Sequence, residues 1–241
     1  MTAQKEWFKY WFDTKYYHIL YQDRNNDEAE YFMRNLVSYL NLNKNAKLLD
    51  LPCGKGRHAI FLNTMSYTVV GADLSKNSIL HAKKHENNTL KFKVHDMRKP
   101  LQTKFDAILN LFTSFGYFDK ETNINVLRNL KKGLKENGVL VIDFMNVNYV
   151  KQHLVEREIV TKSGIDFKIT RNVVDHFIIK KIQFTADAEE HCYTEQVRDL
   201  PLELFKTYIK ASGLHIKQVF GDYALNKFNE DTSKRLILIL E

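Results

Sequence analysis

Acids and glycines at the ends of two strand-like runs are the residues best suited to chemistry. Asp50 lies in the run 47–52 and precedes Gly54 and Gly56, after which a helical pattern begins. Glycines at a strand-to-helix turn let the backbone approach a ligand closely. Asp73 ends the next strand-like run, where a doubly wound sheet holds a ribose diol. This spacing predicts a cleft for a nucleotide-like cofactor.

Two further strand-like runs also end in residues that can bind a ligand. Asp96-Met97-Arg98 follows the run 90–95, and Asn110-Leu111 ends the run 105–111. In an open α/β sheet, ligands bind at the carboxyl edge of the strands, near the switch in strand order. We therefore expect the strand ends to supply, in order, a close-approach loop, a diol acceptor, a base-edge acceptor and a wall.

The loop sequence discriminates between nucleotide cofactors. The dinucleotide fingerprint G-x-G-x-x-G and the Walker loop are both absent, and Pro52 precedes the glycines. The negative charge of Asp50 would repel a pyrophosphate, whereas it suits a cationic amino-acid group. These features favour S-adenosylmethionine over NAD or ATP.

The elements that would hold these residues alternate between strand and helix patterns up to residue 146. Strand-like runs are 47–52, 67–73, 90–95, 105–111 and 139–144, and helical patterns are 26–40, 56–65, 76–87 and 121–135. Such alternation predicts βαβ units and a parallel sheet, that is, an α/β fold. The pair Asn137-Gly138 is a typical helix C-terminal signal and predicts where the last of these helices stops.

The pattern changes after Asn146. Extended segments at 155–161, 166–174, 177–184 and 191–199 are rich in Val, Ile, Phe and Thr and favour antiparallel strands. A helix from Pro201 to Gly213 and the strand-like runs 214–221 and 234–240 then predict a late hairpin that completes the first sheet. The aromatic segment 7–21 predicts a short helix or a helix pair.

These motifs resemble those of class I S-adenosylmethionine-dependent methyltransferases, and the likeness extends over most of the chain. Residues 50–56 are similar to the first motif of that family, 73–75 to its ribose-binding acid, and 96–98 to its adenine-side motif. Residues 105–110 resemble the fourth strand. Residues 112–117 resemble a small-molecule branch that includes sugar-amine and glycine-type N-methyltransferases.

The resemblance implies S-adenosylmethionine as cofactor and S-adenosylhomocysteine as product. It places Tyr17 and Arg24 at the cofactor carboxylate. The residues assigned to cofactor binding are Tyr17, Arg24, Asp50, Pro52, Gly54, Gly56, Asp73, Leu74, Asp96, Met97, Arg98, Asn110 and Leu111. Phe115 and Tyr117 are expected to flank the methyl group, and Arg198 is a further candidate on the acceptor side. No metal site is predicted.

The expected architecture is a doubly wound, mostly parallel, seven-stranded Rossmann-like sheet with an N-terminal helical lid and an antiparallel β insertion. The lid covers residues 1–45. The cofactor-binding domain covers 46–146 and 200–241, and the insertion, 147–199, would cover the acceptor pocket.

Composition limits the class of protein. The 241 residues are 44% hydrophobic, which supplies a sizeable core. No apolar run approaches the roughly 18 to 20 residues that span a bilayer, and two cysteines make neither a disulfide framework nor a zinc site. We expect a cytoplasmic monomer or homodimer that methylates a small molecule, with an amine as the favoured acceptor and no membrane partner.

Two alternatives stay open at this stage. The net charge of +7 is compatible with an RNA or protein methyltransferase on the same fold. Against RNA, residues 110–113 lack the Asn/Asp-Pro-Pro-Tyr/Phe loop associated with base-amine methylation, and lysine pairs are scattered along the chain. The second alternative is a non-catalytic S-adenosylmethionine-binding protein.

Overall fold

The computed structural model describes residues 6–23 and 26–241. Its helices are α1 (Trp7–Trp11), α2 (Lys15–Leu20), α3 (Asn26–Leu40), α4 (Arg57–Thr64), α5 (Lys76–Ala82), α6 (Lys120–Lys132), α7 (Val147–Gln152) and α8 (Leu202–Ser212). Its strands are β1 (Lys47–Asp50), β2 (Thr68–Asp73), β3 (Leu90–Val94), β4 (Phe105–Asn110), β5 (Leu134–Met145), β6 (Arg157–Lys162), β7 (Ile165–Val174), β8 (Phe177–Ala186), β9 (Glu189–Arg198), β10 (Ile216–Phe220) and β11 (Arg235–Leu240). None of the described helices is long and apolar enough to cross a membrane.

Seven strands form one large sheet of order β10-β11-β5-β4-β1-β2-β3. Strands β3, β2, β1, β4 and β5 are parallel, and β11 pairs antiparallel with both β5 and β10. The predicted α/β, mostly parallel, seven-stranded sheet with a late hairpin is thus confirmed. The chain order reverses between β1 and β4, so a ligand cleft is expected at their carboxyl ends.

Both faces of the large sheet are covered. Side chains alternate along each strand, so Leu49 and Ile108 pack against α6 and α8, while Leu48 and Ala107 pack against α3, α4 and α5. This double cover explains why the parallel strands read as nearly continuous apolar runs.

A second, antiparallel sheet of order β6-β7-β8-β9 lies in sequence between β5 and β10 of the large sheet, as the extended segments predicted. The aromatic segment forms the helix pair α1 and α2, which packs on one face of this sheet. Trp11 and Tyr16 are buried there with Phe167 and Phe184. The N-terminal helices and the small sheet therefore share one hydrophobic core.

The predicted end of α6 at Asn137-Gly138 is wrong. The helix ends at Lys132 and β5 begins at Leu134, so the Asn-Gly pair lies inside the strand. Asn137 adopts a φ of 60°, and the pairing of β5 with β4 shifts register here. A Cβ on Gly138 would lie 3.0 Å from the Phe105 carbonyl oxygen. The pair thus makes an irregularity that brings the two strands close together.

Two Leu→Ala substitutions on helices test this account of the core. Leu127 on α6 is 0% exposed and Leu80 on α5 is 68% exposed. We expect Leu127→Ala to lower the free energy of unfolding by about 2–5 kcal/mol, because it removes buried methyl groups and leaves a cavity. Leu80→Ala should change it by less than about 0.5 kcal/mol. Urea unfolding measures both, and equal losses would contradict the placement of α6.

Candidate functional site

The loop between β1 and α4 is shaped by its two glycines. Gly54 has a φ of 55° and Gly56 a φ of 91°, in the left-handed region that favours glycine. A Cβ on Gly56 would lie 2.7 Å from the Phe92 ring, so the loop sits directly on β3. An added Cβ on Gly54 would meet no atom within 4 Å. The loop therefore has one packed side and one open side.

Asp73 joins the end of β2 to this loop. Its Oδ2 accepts a 2.8 Å hydrogen bond from the Gly54 backbone N–H, and its Oδ1 accepts one of 2.8 Å from Ser75. Burial raises the pKa of the carboxyl group, while these N–H donors oppose the rise. Each carboxylate oxygen retains a second lone pair, so the group can still accept two hydroxyl hydrogen bonds.

Asp50 lies beneath the loop and is 0% exposed. Neither carboxyl oxygen has a hydrogen-bond partner among the described residues. Burial, assisted by the charge of Asp73, raises the pKa of Asp50 to about 8. At neutral pH this carboxyl group therefore keeps its proton in the structure as described, and a nearby cation would favour its ionised form.

A cavity of about 590 Å³ opens at the carboxyl edge of the large sheet. Three parts of the chain line it. The sheet edge contributes Pro52, Gly54, Asp73, Leu74, Asp96, Met97, Leu111 and Tyr117; the N-terminal helices contribute Trp7, Phe8, Phe12, Tyr17 and His18; the small sheet contributes Arg171, Ile178, Lys180, Glu195 and Val197. The volume lies within the range of about 300–1,000 Å³ typical of small-ligand sites.

Most of the predicted cofactor residues meet at this cavity. Those that line it are Tyr17, Pro52, Gly54, Asp73, Leu74, Asp96, Met97 and Leu111. Asp50, Gly56 and Asn110 lie behind the lining, where the Asn110 amide donates a 2.9 Å hydrogen bond to the Leu51 carbonyl and supports the loop. Arg24 lies outside the described residues.

Asp96 lines the cavity with its carboxylate engaged by Arg98. The guanidinium Nη2 is 2.6 Å from Asp96 Oδ2, and its Nη1 is 3.0 Å from a Glu6 carboxylate oxygen. Burial favours the protonated acid, but the hydrogen bonds and charge of Arg98 outweigh it and hold the pKa of Asp96 below its usual value. Arg98 itself does not line the cavity but fixes the acid that does.

The wall after β4 depends on a buried ion pair. Phe112 and Thr113 have φ values of 60° and 58°, which are unfavourable for residues with a Cβ. The Phe112 N–H donates a 2.9 Å hydrogen bond to Asp143 Oδ2, and Arg235 Nε donates one of 2.7 Å to Asp143 Oδ1. The Tyr223 hydroxyl donates to the same carboxylate at 3.1 Å. These bonds hold the wall in its left-handed conformation.

Two of the three acceptor-side candidates lie away from the cavity. Phe115 is 1% exposed and packs on Phe205, because Gly116, with a φ of 82°, turns the chain between Phe115 and Tyr117. The Arg198 guanidinium lies 5.2 Å from the centre of the Phe177 ring. Neither Phe115 nor Arg198 lines the cavity, whereas Tyr117 does.

Several residues of the site were not found by sequence reasoning. Asp143 could have been recognised from the sequence, because a charged residue inside the apolar run 139–144 requires a buried partner. No sequence pattern identifies Lys180 and Glu195, since only the pairing of β8 with β9 brings them together. Within residues 6–23 and 26–241, no group of three His, Cys, Asp or Glu side chains could hold a metal ion.

Comparison with known proteins adds a domain match to this geometry. Residues 48–138, which contain the glycine loop, Asp73 and β4, match the model of a methyltransferase domain. A putative methyltransferase from Geobacillus sp. strain WCH70 is 22% identical over 249 residues, covering 97% of this chain and 98% of that protein.

Solved structures share the fold. A S-adenosylmethionine-dependent methyltransferase from Clostridium acetobutylicum superposes with a TM-score of 0.79 at 18% identity, covering 94% of this chain and 95% of that one. An amino pentose methyltransferase from Micromonospora echinaspora, solved with S-adenosylmethionine bound, has a TM-score of 0.69 at 18% identity, covering 94% and 96%. The match over residues 48–138 places a methyltransferase domain at the sheet edge that carries the cavity, and together with the Geobacillus relative it supports an S-adenosylmethionine-dependent methyltransferase.

Proposed function

We propose that this methyltransferase transfers the methyl group to an amine nitrogen of a small molecule by in-line displacement. The observation that carries the proposal is the cover over the cavity. Trp7 and Phe12 of the N-terminal segment and Ile178 and Val197 of the small sheet line the same cavity as the sheet edge. Such a covered space suits a small acceptor better than a folded RNA or protein surface.

The three parts of the lining correspond to three proposed roles. Residues 46–146 and 200–241 would bind the cofactor at the sheet edge. Residues 147–199 would form a roof over the acceptor, and residues 1–45 would act as a lid. The lid and roof share a hydrophobic core, which supports their acting together.

The chain's own residues fit the proposed cofactor. Asp73 would accept hydrogen bonds from the ribose hydroxyls, and Leu74, Met97 and Leu111 would offer an apolar surface for the adenine, since all four line the cavity. The open side of Gly54 would admit the cofactor next to the backbone. The unpartnered Asp50 carboxyl lies behind this loop and suits a cation on the other side of it. Tyr17, with Arg24, would bind the carboxylate.

The mechanism needs orientation more than acid–base chemistry. S-adenosylmethionine supplies a methyl group that is electrophilic because it is bonded to a cationic sulfur. Orientation of two reactants can contribute about 7–11 kcal/mol in well-organised cases. Tyr117 and Phe12 would exclude water from the reacting atoms. An amine attacks with its lone pair and requires no base, and the amino pentose methyltransferase of the same fold supports this acceptor class.

Substitution of Asp73 tests the cofactor site. We expect Asp73→Asn to weaken S-adenosylhomocysteine binding about 10- to 100-fold, because a hydrogen bond to a charged group contributes about 1.5–3 kcal/mol. Asp175→Asn, the same change in an exposed turn, is the control and should bind like wild type. Isothermal calorimetry gives both dissociation constants, and equal affinities would disprove the role of Asp73.

The pKa of Asp50 predicts a pH dependence. The proton on Asp50 must leave when a cation binds nearby, so S-adenosylhomocysteine affinity should rise with pH as the pH approaches 8. The affinity can rise by at most about tenfold per pH unit, because one proton is released. Burial lowers the pKa of His58 to about 3, so that residue stays neutral between pH 6.5 and 8. Calorimetry across this window should show the trend in wild type and its loss in Asp50→Asn; parallel curves would rule out this coupling.

An acceptor panel tests the proposed function itself. Formation of S-adenosylhomocysteine would be measured with matched pairs, glucosamine against glucose and glycine against glycolate, and with bulk RNA. We expect turnover with amines only. Its kcat/KM should rise about tenfold per pH unit below the pKa of the acceptor amine, because the free lone pair is required. Transfer to the alcohols or to RNA without transfer to amines would refute the amine proposal.

A further inference from the structure

One carboxylate of the cavity comes from the roof and not from the sheet edge. Glu195 of β9 lies opposite Lys180 of β8, and the next inward pair along the two strands is Val197 with Ile178. All four residues line the cavity. This end of the small sheet therefore presents a charged pair and an apolar pair to the same space.

Glu195 is held firmly by the N-terminal helices. Its Oε1 accepts a 2.7 Å hydrogen bond from the Trp11 indole N–H and one of 2.7 Å from the Tyr21 hydroxyl. Lys180 donates to the Tyr21 oxygen at 2.6 Å, and its Nζ stays 3.9 Å from the Glu195 carboxylate. Only 17% of the Glu195 side chain is exposed. A carboxylate fixed in this way loses little further conformational entropy when it binds a ligand.

The three carboxylates that line the cavity in the described chain differ in the hydrogen-bond partners that they already have. Asp96 is engaged by the Arg98 guanidinium, and Asp73 is bonded to the glycine loop. Glu195 receives donors from Trp11 and from Tyr21, whose hydroxyl lies within hydrogen-bond distance of both carboxylate oxygens, and the Lys180 ammonium is 3.9 Å away, while an ionised carboxylate has about four acceptor positions. It therefore keeps capacity for a donor that enters the cavity.

We propose that Glu195 is the residue that binds the acceptor amine, accepting an N–H hydrogen bond from the nucleophilic nitrogen. The inference rests on the proposed function and names the residue that holds the acceptor nitrogen. With one N–H directed at Glu195, the nitrogen lone pair is oriented by the protein and not by solvent. The apolar neighbours Ile178 and Val197 would contact the carbon skeleton of the acceptor.

Glu195 also stabilises the charge that develops during transfer. The acceptor nitrogen donates its lone pair to the methyl carbon, and the carbon–sulfur bond breaks with its electrons remaining on sulfur. The positive charge thus moves from sulfur to nitrogen, next to the carboxylate. A fixed charge placed where charge develops lowers the barrier. The methylated ammonium leaves the site and loses its extra proton to solvent.

A binding experiment tests this assignment without a known acceptor. Sinefungin is a cofactor analogue that carries an ammonium group at the position of the transferred methyl, whereas S-adenosylhomocysteine has none there. Calorimetry would give both dissociation constants for wild type, Glu195→Gln and Glu190→Gln. Gln can still accept the Trp11 and Tyr21 hydrogen bonds, and Glu190 is an exposed residue of the same strand.

We expect wild type and Glu190→Gln to prefer sinefungin. Glu195→Gln should reduce that preference about 10- to 100-fold while leaving S-adenosylhomocysteine affinity unchanged. It should also lower kcat/KM for amines of the acceptor panel. An unchanged preference, or equal loss of affinity for both analogues, would overturn the assignment. The acceptor panel tests the amine proposal separately, because that proposal fails if the wild-type protein does not prefer amines.

Discussion

The cavity depends above all on one buried carboxylate, that of Asp143. It is 1% exposed, and its oxygens accept from the Arg235 guanidinium, the Phe112 backbone and the Tyr223 hydroxyl. A buried charge is tolerated only with such partners, and removal of one partner from a buried pair typically costs about 3–5 kcal/mol. Because the partners come from β11 and two loops, one carboxylate positions the wall after β4, including the left-handed Phe112 and Thr113.

The N-terminal helices connect the two halves of the site. Asp13, between α1 and α2, accepts a 3.1 Å hydrogen bond from the Asn77 backbone at the start of α5, close to Asp73 at the end of β2. Two residues earlier, Trp11 donates to Glu195 of the roof. The same short segment thus contacts both the large-sheet domain and the small sheet. This arrangement explains why the cavity has its apolar cover where the two sides meet.

The sequence predicted the fold well because the evidence for it is local. Apolar runs of the right length at 47–52, 67–73 and 105–111 need only their own composition to be recognised as buried strands. The end of α6 was missed, because Asn137-Gly138 has the same local signature in a helix terminus and in an irregular strand. Only the approach of β5 to β4, within 3.0 Å for an added Cβ on Gly138, distinguishes the two.

The sequence by itself determined the sheet edge at which we propose that the cofactor binds, since each of its residues ends or directly follows a strand and parallel strands end at one edge. Asp73, Met97 and Leu111 could be named on that ground and line the cavity. Tertiary structure alone decided the side of the cavity proposed for the acceptor. Lys180 and Glu195 meet through the register of two antiparallel strands, and Gly116 turns Phe115 away from the cavity. Residues distant in sequence become neighbours only through packing, and no local pattern encodes that contact.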